Sequence, residues 1–345
     1  MSDARRPPVL VTIGDPNGVG PEIAVKAAVA LCTDPEFRPL VIGERYIAEP
    51  LVERAGFRLE TDPKKWGTSD KSVDLYPVDF VPRDAFAPGT VCASAGQATV
   101  NYVETAITLM KDGAGRGIVG CPHSETAVNA SGRVFSGYPN LLSELLGTGP
   151  DSIFLMLVGG GLRVVHVTLH EGINTALKRL TPELIERAVI TAEKGLRELG
   201  IEKPRIGLFG INPHASENGL FGEEDRLVVM PAVESLLKRG LDVVGPEGAD
   251  TMLVRDGFDA FVAMYHDQGH IPVKLIGGRE VAAVSIGGGA LFSSVGHGAA
   301  FDIAGQNTAD PAAVLRAIKL VGGTRFGDAI RAGQQPVHYR RSRQS

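Results

Sequence analysis

The chain has 345 residues, 43% of them hydrophobic, and a formal net charge of −5. That length is long for one core and suits two domains. The mild acidity, with no basic patch, argues against a nucleic-acid partner, and no apolar stretch is long enough to span a bilayer.

The chain starts Met1-Ser-Asp-Ala-Arg-Arg-Pro-Pro8 and runs straight into a short apolar segment, with no hydrophobic region of signal-peptide length. Cys32, Cys92 and Cys121 are odd in number and widely spaced, which argues against a disulfide framework. A cytoplasmic protein with reduced thiols is the expectation.

Strand-like and helix-like segments alternate along the chain. Val9–Ile13 is a short apolar run, followed by the loop Gly14-Asp-Pro-Asn-Gly-Val-Gly20, and Pro21 suits the first turn of a helix. A glycine-rich loop between strand and helix can cradle an anion. This one matches neither the dinucleotide fingerprint nor the P-loop, so a tight turn is the alternative. Val164–Leu169 is the next informative run. Thr181-Pro-Glu opens a helix with Leu184, Ile185, Ala188, Val189, Ala192 and Leu196 on one face and Gly200 as its stop. Ile206–Ile211 and Phe261–Met264 lack polar alternation and read as buried strands. Asp310-Pro311 opens a last helix that runs to Gly322, and the polar, basic tail after Gly327 is expected to fray. The pattern predicts an α/β fold with a largely parallel sheet. No linker marks a domain boundary.

Three histidines sit just past apolar runs: His170, His214 and His266. Ligands in open α/β sheets bind beyond the carboxyl ends of strands, so three imidazoles at one edge, with coordination positions left open, describe a catalytic divalent-metal site. Each has polar neighbours that can fix its tautomer: Glu171, then Asn212 and Ser216, then Asp267 and Gln268. Imidazoles suit zinc, iron, cobalt or nickel better than magnesium. His166 reads as a packed residue and His338 as a surface one. Lys274 follows His266 within Tyr265–Lys274. Beside a cation its ammonium form is disfavoured, making it a candidate proton carrier or substrate contact. In Gly296–Gly305, small residues let backbone approach a ligand, and Asp302 can accept from a ribose hydroxyl or an adenine amine.

Together these segments resemble the family of metal-dependent 4-hydroxythreonine-4-phosphate dehydrogenases. The matching pieces are GDPNGVGPE (14–22), LHE (169–171), NPHAS (212–216), GPEGADT (245–251), YHDQGHIPVK (265–274) and HGAAFDIAG (297–305). The resemblance implies a two-domain isocitrate/isopropylmalate dehydrogenase-like fold with mostly parallel sheets and an active-site cleft between the domains. Residues 1–135 plus 266–345 would form an outer, NAD-binding domain. Residues 136–265 would form a central domain with the dimer interface and metal ligands. It also implies that His170, His214 and His266 hold the metal, most simply zinc, and that His266 reaches the neighbouring subunit of a homodimer. Asp250 and Lys274 would be the polar groups around the substrate, and His297, Asp302 and Gly305 would help hold NAD.

The chain departs from the family's founding member where that enzyme reads its substrate. A His-Thr pair after a glycine is replaced by Tyr138, Pro139 and Asn140 after Gly137. An asparagine and an arginine are replaced by Ala283 and Phe292, and an aspartate by Gly296. Losing these groups leaves a phosphate poorly compensated. The replacements resemble the narrower branch acting on the cis-dihydrodiol of terephthalate, in FSGYPNLLSELLG (135–147), IFLMLVGGGLRVVHVTLHE (153–171), LFGINPHASENGLFG (208–222) and SSVGHGAAFDIAG (293–305). That resemblance implies NAD-dependent oxidation and decarboxylation of 1,2-dihydroxy-3,5-cyclohexadiene-1,4-dicarboxylate to protocatechuate, with Tyr138, Asn140 and Lys274 at the substrate. The alternatives are a dehydrogenase of a phosphorylated hydroxy acid, one acting on another phthalate isomer, and a non-enzymatic metal- or ligand-binding protein.

Overall fold

Apolar runs that lack polar alternation form the inner strands. The computed structural model describes residues 7–323 except 35, 136, 150, 279, 280 and 290, so the basic tail and His338 lie outside the described residues. The strands are β1 (Val9–Thr12), β2 (Pro39–Glu44), β3 (Arg58–Glu60), β4 (Ser72–Val78), β5 (Gly117–Gly120) and β6 (Phe154–Gly159). They continue with β7 (Leu162–His166), β8 (Ile206–Phe209), β9 (Val243–Glu247), β10 (Ala260–Ala263), β11 (Ala282–Ile286) and β12 (Phe292–Val295). β1, β2, β5, β8 and β10 are buried at every position, as strands covered on both faces must be.

The twelve strands make one sheet in the order β3-β4-β2-β1-β5-β12-β11-β6-β7-β10-β8-β9. Most neighbours are parallel, as expected. The direction reverses at β11, which is antiparallel to both β12 and β6, and again between β6 and β7. Consequently β1, β5 and β12 point their carboxyl ends to one edge, and β7, β10 and β8 point theirs to the other.

The helices are α1 (Gly20–Ala30), α2 (Arg45–Arg54), α3 (Ala93–Lys111), α4 (Glu125–Ala130), α5 (Tyr138–Leu146) and α6 (Ile173–Arg179). After them come α7 (Pro182–Glu198), α8 (Met230–Lys238), α9 (Ala249–Met252), α10 (His266–Gly277) and α11 (Ala312–Val321). α7 starts where the sequence places it: the Thr181 hydroxyl caps Leu184 N–H, and Leu184, Ile185, Ala188, Val189, Ala192 and Leu196 are buried. α11 begins two residues after Asp310, whose carboxylate accepts from Ala312 N–H at 2.9 Å. Among the described residues no helix is long and apolar enough to cross a membrane. The three thiols are free.

The core divides into two groups of apolar clusters. One draws on residues 9–153 with Phe292 and with Val314, Ala317, Ile318 and Val321 of α11. The other draws on residues 154–286 together with Leu320 of α11. α10 and β11 belong to the second group through Val273, Val281, Ala282, Val284 and Ile286.

One tight helix crossing provides a test of this packing. A Cβ on Gly96 of α3 would lie 2.0 Å from the Ala127 carbonyl oxygen of α4, and backbone cannot yield as a flexible side chain can. Gly96→Ala is expected to lower stability by about 1–3 kcal/mol, read as a lower denaturant midpoint; an unchanged midpoint contradicts this crossing.

Candidate metal centre

β7, β10 and β8 are adjacent and parallel, so His170, His266 and His214 all emerge at the same sheet edge. Beyond β7 the pairing continues through Val167 N–H to Ala263 O (2.9 Å) and the Thr168 hydroxyl to Met264 O (2.8 Å). The chain then turns, and His170 is left exposed at the rim. Beyond β10, Tyr265 stays extended and His266 is the first residue of α10.

His270 lies one turn further along α10, so His266 and His270 share a face. Their rings stack at 3.7 Å and 15°. The His170 ring lies 5.7 Å from His266 and 6.4 Å from His270. One nitrogen from each of the three comes within 4.8 Å of the others. The structure thus brings His170 and His266 together within one chain. Among the described residues the third imidazole of that group is His270, and His214 is not part of it.

A hydrogen-bond chain fixes the tautomers behind this group. The Leu155 carbonyl can only accept, so His166 carries its proton on Nδ1 (3.3 Å) and offers Nε2 to the Nδ1–H of His270 (3.0 Å). His266 donates Nδ1–H to the Asp267 carboxylate at 2.7 Å. His266 and His270 therefore each keep an Nε2 lone pair, the form in which imidazole binds a cation. Gly269 makes room for this chain, because a Cβ there would lie 2.4 Å from His166 Nε2. Burial pushes His166 down to about 4 and His270 down to about 2, with neighbouring imidazoles adding to the effect. His166 is thus a packed residue, as its position predicts, and it also orients His270.

His214 stands in an unusual backbone. His214 through Asn218 all have positive φ, from 41° to 66°, the region non-glycine residues avoid. Asp225, 1% exposed, holds this turn through Ile211 N–H, Asn212 N–H and the Ser216 hydroxyl. The exposed His214 ring lies 6.0 Å from the Phe221 ring. Asp250 is close to this turn: a Cβ on Gly248 would touch both the Asp250 carboxylate and the His214 backbone. Lys274 stands exposed on α10, two turns beyond His266 on the same face.

The substrate-reading positions separate. Asn140 lines a cleft of about 130 Å³ with His170, Thr168, Glu171 and Arg179. Arg179 pairs there with Asp151 and Glu171, each at 2.5 Å. Gly137 adjoins this group, since a Cβ there would lie 3.5 Å from His170 Nδ1. Tyr138, by contrast, turns into the core. It packs on Phe292 (4.5 Å), His123 (4.6 Å) and Phe135 (5.9 Å), and burial raises its hydroxyl's pKa. Among the described residues its hydroxyl and His123 Nε2 are buried without a hydrogen-bond partner, and burial pushes His123 down to about 4.

His297, Asp302 and Gly305 share one exposed loop at the opposite sheet edge, after β12. The loop rests on the glycine-rich turn, with Val19 N–H donating to Ala299 O at 2.9 Å. The buried Glu22 carboxylate anchors its far end by accepting from Asn307 N–H and Ala309 N–H. The four-residue spacing of His266 and His270 was the signal that could have found His270 in the sequence. Asp225 had none, since it sits in the charged run Glu223-Glu224-Asp225-Arg226.

The profile described as "Pyridoxal phosphate biosynthetic protein PdxA" matches residues 35–321. The chain belongs to this family, whose named relatives are dehydrogenases. It is 43% identical over 323 residues to a 1,2-dihydroxy-3,5-cyclohexadiene-1,4-dicarboxylate dehydrogenase of a Comamonas species, covering 90% of this chain and 96% of that protein. It is 40% identical over 331 residues to a D-threonate 4-phosphate dehydrogenase of Cupriavidus necator, covering 92% and 97%. The crystal structure of a terephthalate 1,2-cis-dihydrodiol dehydrogenase from Burkholderia xenovorans LB400 matches with a TM-score of 0.72 and 47% identity, covering 92% of this chain and 98% of that one. A 4-hydroxythreonine-4-phosphate dehydrogenase from Burkholderia phymatum matches with a TM-score of 0.81 and 38% identity over the same shares, 92% and 98%.

The depressed His166 gives a pH prediction for the metal-free protein. Between pH 6.5 and about 4 the folded state binds fewer protons than the unfolded one, so stability is full above pH 6.5 and falls as pH drops through that window. At pH 5 His166 alone is expected to cost about 2 kcal/mol. Denaturant midpoints at pH 7 and pH 5 should diverge less in His166→Gln than in the wild type. Equal divergence contradicts a neutral, buried His166.

Proposed function

We propose that this chain is a divalent-metal- and NAD-dependent dehydrogenase that oxidises and decarboxylates the cis-dihydrodiol of terephthalate to protocatechuate. The observation that carries the substrate choice is the Tyr138–Phe292 ring contact at 4.5 Å. Both positions hold polar or cationic residues in the founding phosphate-specific member. Here two packed rings fill that space, and a phosphate dianion would lack compensation there. The similarity to a dihydrodiol dicarboxylate dehydrogenase at 43% identity and to a terephthalate dihydrodiol dehydrogenase at 47% supports this choice.

The donor set fits a cation such as zinc, iron, cobalt or nickel: neutral imidazoles with free lone pairs, one backed by the Asp267 carboxylate. When bound, the cation would act as a Lewis acid on the substrate's alcohol and the later ketone oxygen, and the nicotinamide would accept hydride from C2. His170 and His266 would hold the cation. Lys274, on the same helix face as His266, would take the alcohol proton at Nζ, with Asp250 orienting it. Asn140 would contact substrate from the His170 cleft. The exposed loop of His297, Asp302 and Gly305 would hold NAD, and a cleft between two domains would close around the reactants. Loss of carbon dioxide from the β-keto acid restores an aromatic ring, so positioning and charge stabilisation suffice.

The same reading includes a homodimer. Ile271, Leu275 and Ile276 on α10 are 60%, 81% and 56% exposed, and Leu220 and Phe221 beside His214 are 71% and 45% exposed. Apolar faces of this kind mark an interaction surface, and a second copy of the chain is the occupant that would bring His266 of one copy to His214 of the other.

Purified protein supplied with zinc and NAD tests this directly. The dihydrodiol should be turned over with a kcat/KM at least about 100-fold above that for 4-phosphothreonate or 4-hydroxythreonine phosphate, with protocatechuate appearing in step with NADH. Rapid turnover of either phosphate and none of the dihydrodiol overturns the substrate assignment. Undiminished activity after a chelator and dialysis overturns the metal.

A further inference from the structure

We propose that Asp225 is a positioning residue for His214, acting through the backbone. This rests on the reading of His214 as a ligand to the cation. The Asp225 carboxylate brackets Pro213-His214-Ala215 from both sides. Oδ1 accepts Ile211 N–H at 2.6 Å, while Oδ2 accepts Asn212 N–H at 3.0 Å and the Ser216 hydroxyl at 2.6 Å. Asn212 Nδ2 donates in turn to Ser216 Oγ at 3.1 Å and to the Glu224 carboxylate at 2.8 Å, and Phe221 N–H donates to Ser216 O at 3.1 Å.

Two features make this a device for aiming a side chain. First, the backbone it fixes is the left-handed run from His214 to Asn218, which non-glycine residues leave unless held. Second, His214 has no hydrogen-bond partner of its own among the described residues, only the Phe221 ring at 6.0 Å. His266 and His270 are oriented by bonds to their own Nδ1 atoms. His214 can be oriented only by its backbone, and Asp225 sets that backbone. The acid is itself 1% exposed, so it cannot contact a substrate or cation from solution.

The test uses full-length protein stripped of metal and titrated with zinc against a chromophoric chelator, with cobalt as a spectroscopic probe. Asp225→Asn keeps the size of the side chain but replaces the accepting Oδ2 with a donor. It is expected to weaken zinc binding about 10- to 100-fold and to change the visible cobalt spectrum. His214→Ala should weaken binding at least as much, and the double variant should be no worse than His214→Ala. Should Asp225→Asn fail to fold, Ser216→Ala, which removes one of the three donors, should give a smaller loss that also vanishes in the His214→Ala background. Wild-type affinity and spectrum in a folded Asp225→Asn protein, with binding lost in His214→Ala, overturn the positioning role alone. So do losses that simply add. No effect of His214→Ala removes the ligand reading and the proposal together.

Discussion

The parallel pairing of β7, β10 and β8 is the constraint on which the site depends. Parallel neighbours end at the same edge, so any residue a few positions past their ends is delivered to one place. The reversals at β11 and β6 leave the glycine-rich turn and the His297 loop at the other edge. Helix α5 is the link between the two, with Gly137 against His170 and the Tyr138 hydroxyl against Gly120. A change at position 138 therefore affects the wall between the two edges.

The turn at His214 shows how much structure one ligand position can demand. Five left-handed non-glycine residues cost roughly 1–2 kcal/mol each. Three hydrogen bonds to a buried carboxylate contribute roughly 1.5–3 kcal/mol each. The two effects are of the same size, so Asp225 can offset most of the cost of the turn. The His166–His270 chain, between β7 and α10, is a different solution, in which imidazole orients imidazole inside a buried environment that keeps both neutral.

The features legible in the sequence were those with a local cause. The face of α7, its Thr181 cap and the strand ends before His170, His214 and His266 all follow from spacing and capping. The features that were not legible depend on contacts between distant segments. Tyr138 was expected at the substrate, but Phe292, 154 positions later, draws it into the core. Asp225 looks like one more surface charge until the fold turns it under Ile211 and Ser216. His270 is within reach of periodicity, one helical turn after His266 on α10.

The Tyr138–Phe292 aromatic contact and the pairing of His170 with His266 are separate observations, and the account needs both. Its central claim is a cation at that pair, and anomalous diffraction from crystals of the metal-loaded protein tests it most directly. The expected result is one peak about 2.0–2.1 Å from a nitrogen of His170 and of His266, with His214 of a second copy completing the set. No peak at this edge, or a peak bound away from His170, would contradict the account.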